Sequence, residues 1–162
     1  MVDLEARPSG YLDTLLLYFE EEIMGEAYFY GLAKHFDGPG EQKKLKLLAE
    51  VERYAAETVR PLLQKHELAP RTEAELKPLG EVWVERHRHW DWTELMTDMS
   101  VRYPGYVNDF EILEKMAPDE DLPALKILTD HEVVAIEFAN KEIAGDPDSV
   151  EPLRRYLASH AS

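Results

Sequence analysis

Four stretches of this 162-residue chain, about 11–36, 41–66, 92–117 and 120–144, repeat their apolar residues every three or four positions. That spacing is the period of an α-helix, and it rules out strands, which need alternation. Between the stretches fall Pro8-Ser9-Gly10, Asp37-Gly38-Pro39-Gly40, Ala69-Pro70, Pro78-Leu79-Gly80, Ala117-Pro118-Asp119 and Gly145-Asp146-Pro147, the residues that stop helices and turn chains. There is no run of alternating β-branched residues, no Gly-rich phosphate loop and no internal repeat. The expected fold class is therefore all-α: one domain over residues 1–162, an antiparallel four-helix bundle with a short closing helix at about 149–159.

Local signals refine this expectation. The Gly38–Gly40 turn is short enough to make the first two helices antiparallel neighbours. Asp91-Trp92-Thr93-Glu94 has the form of a capping box at the third start, and Pro104-Gly105 is expected to kink or split the third helix. Residues 67–90, with two prolines and Trp83, read as one long crossover between the second and third helices. The alternative is a short helix at 80–90 lying across one end of the bundle, with Trp83, Trp90 and Trp92 sealing it.

The chain carries no Cys, which excludes disulfides, thiolate zinc, iron–sulfur ligation and thiol nucleophiles. Any metal must then take carboxylate or imidazole. Lys and Arg number 18 against 33 Asp and Glu, a formal charge of −15 that repels a phosphate backbone, so no nucleic-acid partner is expected. Arg86-His87-Arg88-His89 is the local exception and reads as a solvated loop or a surface ion-pair partner, without assigned function. Met1–Glu5 lacks a basic region leading into an apolar one, and no apolar run is long enough for a membrane span. A soluble, cytoplasmic protein without a membrane partner is expected.

Within the helical patterns, carboxylates stand where Leu belongs. The first helix lines up Leu12, Leu15, Leu16, Phe19, Ile23, Tyr30 and Ala33, with Glu26 inside the stripe and Glu22 at its edge, one turn earlier. The second gives Leu45, Leu48, Ala55, Ala56, Val59, Leu62 and Leu63, with Glu52 near the middle. The fourth gives Leu125, Leu128, Ala135, Ile136, Ala139 and Ile143, with Glu132 central and His131 on the flank. An ionised carboxylate in a core costs several kcal/mol unless it is protonated, paired or metal-bound. Lys34, Arg53 and Arg60 project to the edges of their faces, so a cation is the obvious partner for Glu26, Glu52 and Glu132, with Glu22 and His131 as supplementary ligands. The competing reading is a set of rim carboxylates, snorkelling to water or matched by an arginine such as Arg88 or Arg102.

Met24-Gly25-Glu26-Ala27-Tyr28-Phe29-Tyr30, Leu48-Ala49-Glu50-Val51-Glu52 and Asp130-His131-Glu132-Val133-Val134-Ala135 resemble the ligand regions of the ferritin-like superfamily, in particular rubrerythrin-like di-iron and di-manganese carboxylate bundles. The likeness covers nearly the whole chain in architecture. It departs from the family at Ala55 and Ala135, where the family pattern places a His three residues after each Glu. Asp109, near the face of Tyr106, Phe110 and Leu113, is the weakest ligand candidate, and Tyr30 is expected in the core beside Glu26.

The resemblance implies a non-haem di-iron or di-manganese oxidoreductase, with iron or manganese as cofactor and O2 or peroxide and a small molecule as substrates. A homodimer paired through a helical face is the expected assembly. The alternative is a metal-free ferritin-like bundle acting as a binding or interaction module, and iron storage would need a shell in addition. Hydrolase chemistry has no footing: there is no nucleophile elbow and no His-Glu-x-x-His.

Overall fold

The computed structural model describes residues 10–159. Within them the chain is all-helical: α1 Tyr11–Ala33, α2 Pro39–Lys65, α3 Glu73–His87, α4 Trp92–Met116, α5 Leu122–Ile143 and α6 Glu151–Ser159, with a 3-10 turn at Asp119–Asp121 before α5. The start at Met1–Glu5 and the Pro8-Ser9 punctuation lie outside the described residues.

Side-chain pairs fix the directions. Tyr11 meets the His66 ring, Glu26 meets Arg53 and Gln42 donates to the Phe36 carbonyl, so α1 and α2 run antiparallel. Asp121 meets Lys65, His131 meets Glu52, and Glu142 meets Lys44, which makes α5 antiparallel to α2. The Trp92 indole donates to Glu142 at one end and the Thr129 hydroxyl to Glu114 at the other, so α4 and α5 are antiparallel too. α1 and α4 meet along a shorter seam, where Tyr18 packs edge-on against Phe110. α6 closes against α5 and α2, its Tyr156 hydroxyl donating to the Ile127 carbonyl.

The crossover is itself built. Thr72 and Glu75 form a reciprocal capping box, each side chain bonding the other's backbone N–H, and α3 runs from there for 15 residues. It lies parallel to α1 rather than across an end of the molecule, with Arg71 on Glu20, Gly80 on Met24 and Val84 on Gly31. A Cβ at Gly80 would stand 2.3 Å from the Met24 carbonyl oxygen, so only glycine lets the two backbones approach this closely.

Covered by α3 on one side and by α2 and α4 on others, α1 is buried around most of its girth, including Glu20, Met24, Gly25 and Tyr28. The single stripe expected for it is therefore too narrow and partly misphased: Leu12 and Tyr30 are exposed, and so is Ile143 on α5. Pro104 does not split α4, which is continuous from 92 to 116. Pro104 is exposed, so the carbonyl four residues earlier can be taken by water. Asp91 does cap α4, accepting from the Glu94 N–H. His87, expected in a solvated loop, is buried, hydrogen-bonded to the Tyr28 hydroxyl at 2.7 Å and stacked on Trp90. Among the described residues no helix is long and apolar enough to cross a membrane.

Candidate metal centre

Glu22 from α1, Glu52 from α2, and His131 and Glu132 from α5 meet in the interior, and all four are buried. His131 Nε2 stands 2.8 Å from Glu22 Oε2, 3.1 Å from Glu52 Oε2 and 3.2 Å from Glu132 Oε2. Glu22, Glu52 and His131 each bring one ligand atom within 4.8 Å of the others. Adjacent residues on a helix point about 100° apart, yet His131 and Glu132 both reach the cluster, because it lies in the wedge between their two directions.

Sequence reasoning placed His131 on the flank and Glu22 at an edge, whereas both stand at the centre. Glu26 does not converge with Glu52 and Glu132. Its carboxylate is held by Arg53, whose Nε and Nη2 donate to it at 2.7 and 2.8 Å. The same guanidinium also reaches Glu57 and Glu73, so Glu26 belongs to an ion-pair network tying α1, α2 and the start of α3. Periodicity alone could not separate Glu26 from Glu22, one turn away. The distinguishing signal is Arg53, one residue after Glu52, which reaches from the edge of its face across to α1. Ala55 and Ala135 are both buried, so no imidazole stands where the family pattern would have one. His131 supplies the single imidazole instead.

The electrostatics are those of a cluster short of positive charge. Burial, then the charge of Glu52, pushes Glu22 well above the usual carboxylate range. Burial also raises Glu132 against the pull of His131. For Glu52 burial acts upward but is outweighed by Glu22 and the His131 charge, which hold it low. For His131 burial disfavours the charged ring, yet Glu22 and Glu52 beside it raise it well above the ordinary histidine range. Glu22, Glu132 and His131 are thus all pushed toward their protonated forms, the response of a cluster short of positive charge.

Protons do not satisfy the geometry, however. Despite the short separations, neither Glu22 Oε2 nor His131 Nε2 has an aligned hydrogen-bond partner. The other ring nitrogen, Nδ1, meets the Leu128 carbonyl, which favours the tautomer with its proton on Nδ1 and a lone pair on Nε2. When the ring gives up its second proton, that lone pair faces three carboxylate oxygens, an arrangement a cation would bridge. Ligand atoms about 2.1 Å from one ion at right angles lie about 3.0 Å apart, the range found between His131 Nε2 and these oxygens. Three carboxylates and one imidazole are a donor set for hard or borderline ions such as manganese and iron.

Beside the cluster lies a cavity of about 30 Å³, lined by Glu22, Glu52, Glu132, Tyr103 and Phe110 inside and by Tyr18, Glu21, Tyr106 and Asp109 toward the surface. It has room for about two water-sized groups. Burial, reinforced by Asp109, Glu132 and Glu52, pushes Glu21 up to about 7, and burial raises Tyr106 to about 12. Asp109 thus lines the cavity's outer part and is not one of the converging groups, while Tyr30 is at the surface, away from its expected core position. Comparison of the chain with protein-family models, with curated proteins and with solved structures finds no match.

Proposed function

We propose that this protein is a ferritin-like metal-binding bundle, with α1, α2, α5 and α4 as its four helices and α3 carried in the long crossover, and that Glu22, Glu52, His131 and Glu132 hold iron or manganese. The antiparallel pairs α1/α2 and α4/α5, joined by one long connection, support the ferritin-like part. The observation that carries the metal part is the buried His131 Nε2, set among three carboxylate oxygens without an aligned hydrogen bond to any of them. A cation there would neutralise the cluster and give the orphan atoms their partner.

A redox-active ion would supply electron transfer to O2 or peroxide, which are small enough for the cavity, whereas a bulky organic substrate is not. The chain's own contribution is to line the approach to the centre with Phe110 and Tyr103, which leaves room for small groups alone, and to fix the imidazole through the Leu128 carbonyl. On this reading the protein is a small-substrate oxidoreductase. The family resemblance supplies the pairing of two ions.

Elemental analysis of protein grown with iron and manganese tests it. Wild type is expected to carry close to stoichiometric metal, and a Glu52→Ala, His131→Ala double variant close to none; wild type free of metal after such growth contradicts the reading. A second reading, a metal-free interaction module, is favoured by the raised basicity of His131, which lets the protonated ring balance Glu52. It predicts that replacing Glu22, Glu52 and Glu132 by Gln leaves stability unchanged or improved.

A further inference from the structure

The cavity beside the cluster is graded. Its inner lining of Glu22, Glu52, Glu132, Tyr103 and Phe110 is buried, while its outer lining of Tyr18 and Glu21 on α1 and Tyr106 and Asp109 on α4 is half-buried. The cavity therefore faces solvent along the α1–α4 seam, where the two helices touch only briefly. Two of the four outer residues are carboxylates, one from each helix. Neighbouring Glu20 and Glu26 are matched by Arg71 and Arg53. Among the described residues no Lys or Arg stands within ion-pair distance of Glu21 or Asp109, so these two are not spent on holding helices together. At the inner end Glu22 Oε2, buried and without an aligned partner, lines the same cavity.

From this we infer that Glu21 and Asp109 form a cation portal, a transient oxygen site that draws divalent metal ions through the α1–α4 seam to the buried centre. The inference rests on the metal-centre reading above and adds the route. An ion crossing from water into a buried site must shed its hydration shell, and carboxylates at the mouth replace part of that shell while the ion is still half solvated. Like charges at the mouth of a low-dielectric opening also raise the local concentration of counter-ions and so the on-rate. Tyr18 and Tyr106 stand with the two carboxylates in the outer lining.

Stopped-flow uptake of Mn2+, followed by the change in tyrosine and tryptophan emission, tests the portal against the centre. In the double variant Glu21→Gln, Asp109→Asn, uptake is expected to slow by about tenfold at low salt, with the final metal content unchanged and the difference shrinking in high salt. A control with two exposed carboxylates neutralised, Glu50→Gln and Glu81→Gln, is expected to load at the wild-type rate. Equal rates in wild type and the portal variant, or equal slowing in the control, overturn the portal while leaving the centre standing. A loss of bound metal in the portal variant also overturns it, by making these residues ligands. Wild type that takes up neither Mn2+ nor iron overturns the centre and the portal together. Should the double variant be unfolded by circular dichroism, Asp109→Asn alone carries the same comparison.

Discussion

At the residue scale, two glutamates one turn apart on α1 have opposite roles. Glu26 is answered by a guanidinium, so Glu26→Ala is expected to keep full metal content while lowering stability by about 1–3 kcal/mol, the usual cost of removing a hydrogen bond to a charged group. Glu22→Ala is expected to do the reverse in metal content, weakening binding by at least about tenfold. Metal titration and thermal melting of the two variants check the contrast, and equal metal loss in both would contradict it. His131 makes the same point from another side. An imidazole flanked by Asp130 and Glu132 was legible as a candidate, but its central place was not, because a helical wheel shows direction and not the position of the neighbouring helices that decides what a side chain reaches.

At the element scale, the extent and direction of α3 are what the sequence hid: the alternative for the crossover is a short helix at 80–90 across one end, whereas α3 spans Glu73–His87 and runs along α1. Its start was written in Thr72-x-x-Glu75, but two prolines and an indistinct apolar face hid a helix whose buried residues are only Leu76, Gly80, Val84 and His87. Read as a loop, the crossover leaves α1 one-faced, and the stripe then omits Glu20, Met24 and Tyr28, which are buried. The close approach of α3 to α1 gives a graded prediction. Gly80→Ala drives a methyl into a backbone carbonyl and is expected to cost about 2–3 kcal/mol, whereas Gly31→Ala meets only the Val84 side chain, which can rotate, and is expected to cost less. Chemical denaturation of the two variants checks the order. By contrast the α2 stripe was legible in full, since Leu45, Leu48, Ala55, Ala56, Val59, Leu62 and Leu63 are all buried. On α5 Leu125, Leu128, Ala135 and Ala139 are buried as expected, but the stripe included the exposed Ile143 and omitted the buried Val134 and Phe138.

At the scale of the whole molecule, one buried carboxylate ties three segments. Asp121 accepts from the Tyr11 hydroxyl, Lys65 Nζ and His66 Nε2, joining the start of α1, the end of α2 and the start of α5. Burial acts to raise Asp121, but these donors outweigh it and hold the group at about 2. A depressed carboxyl adds stability that is fully present above its unfolded value near 4 and is lost as pH falls toward 2. Wild type is therefore expected to lose stability steeply over that interval. Asp121→Asn should be less stable at pH 7 by about 2 kcal/mol and show a flatter acid slope, measurable by urea denaturation at several pH values.

All-helical architecture followed from period and punctuation, because both are local. The centre was legible only in part, since Glu52 and Glu132 broke an apolar pattern but the choice of Glu22 over Glu26 depended on where Arg53 reached. The most direct measurement of the central claim is anomalous X-ray scattering from crystals grown with iron or manganese, collected across that metal's absorption edge. The account predicts a peak at bonding distance from His131 Nε2 and from carboxylate oxygens of Glu22, Glu52 and Glu132. No peak there, with the His131 ring donating in line to a single carboxylate, would contradict it.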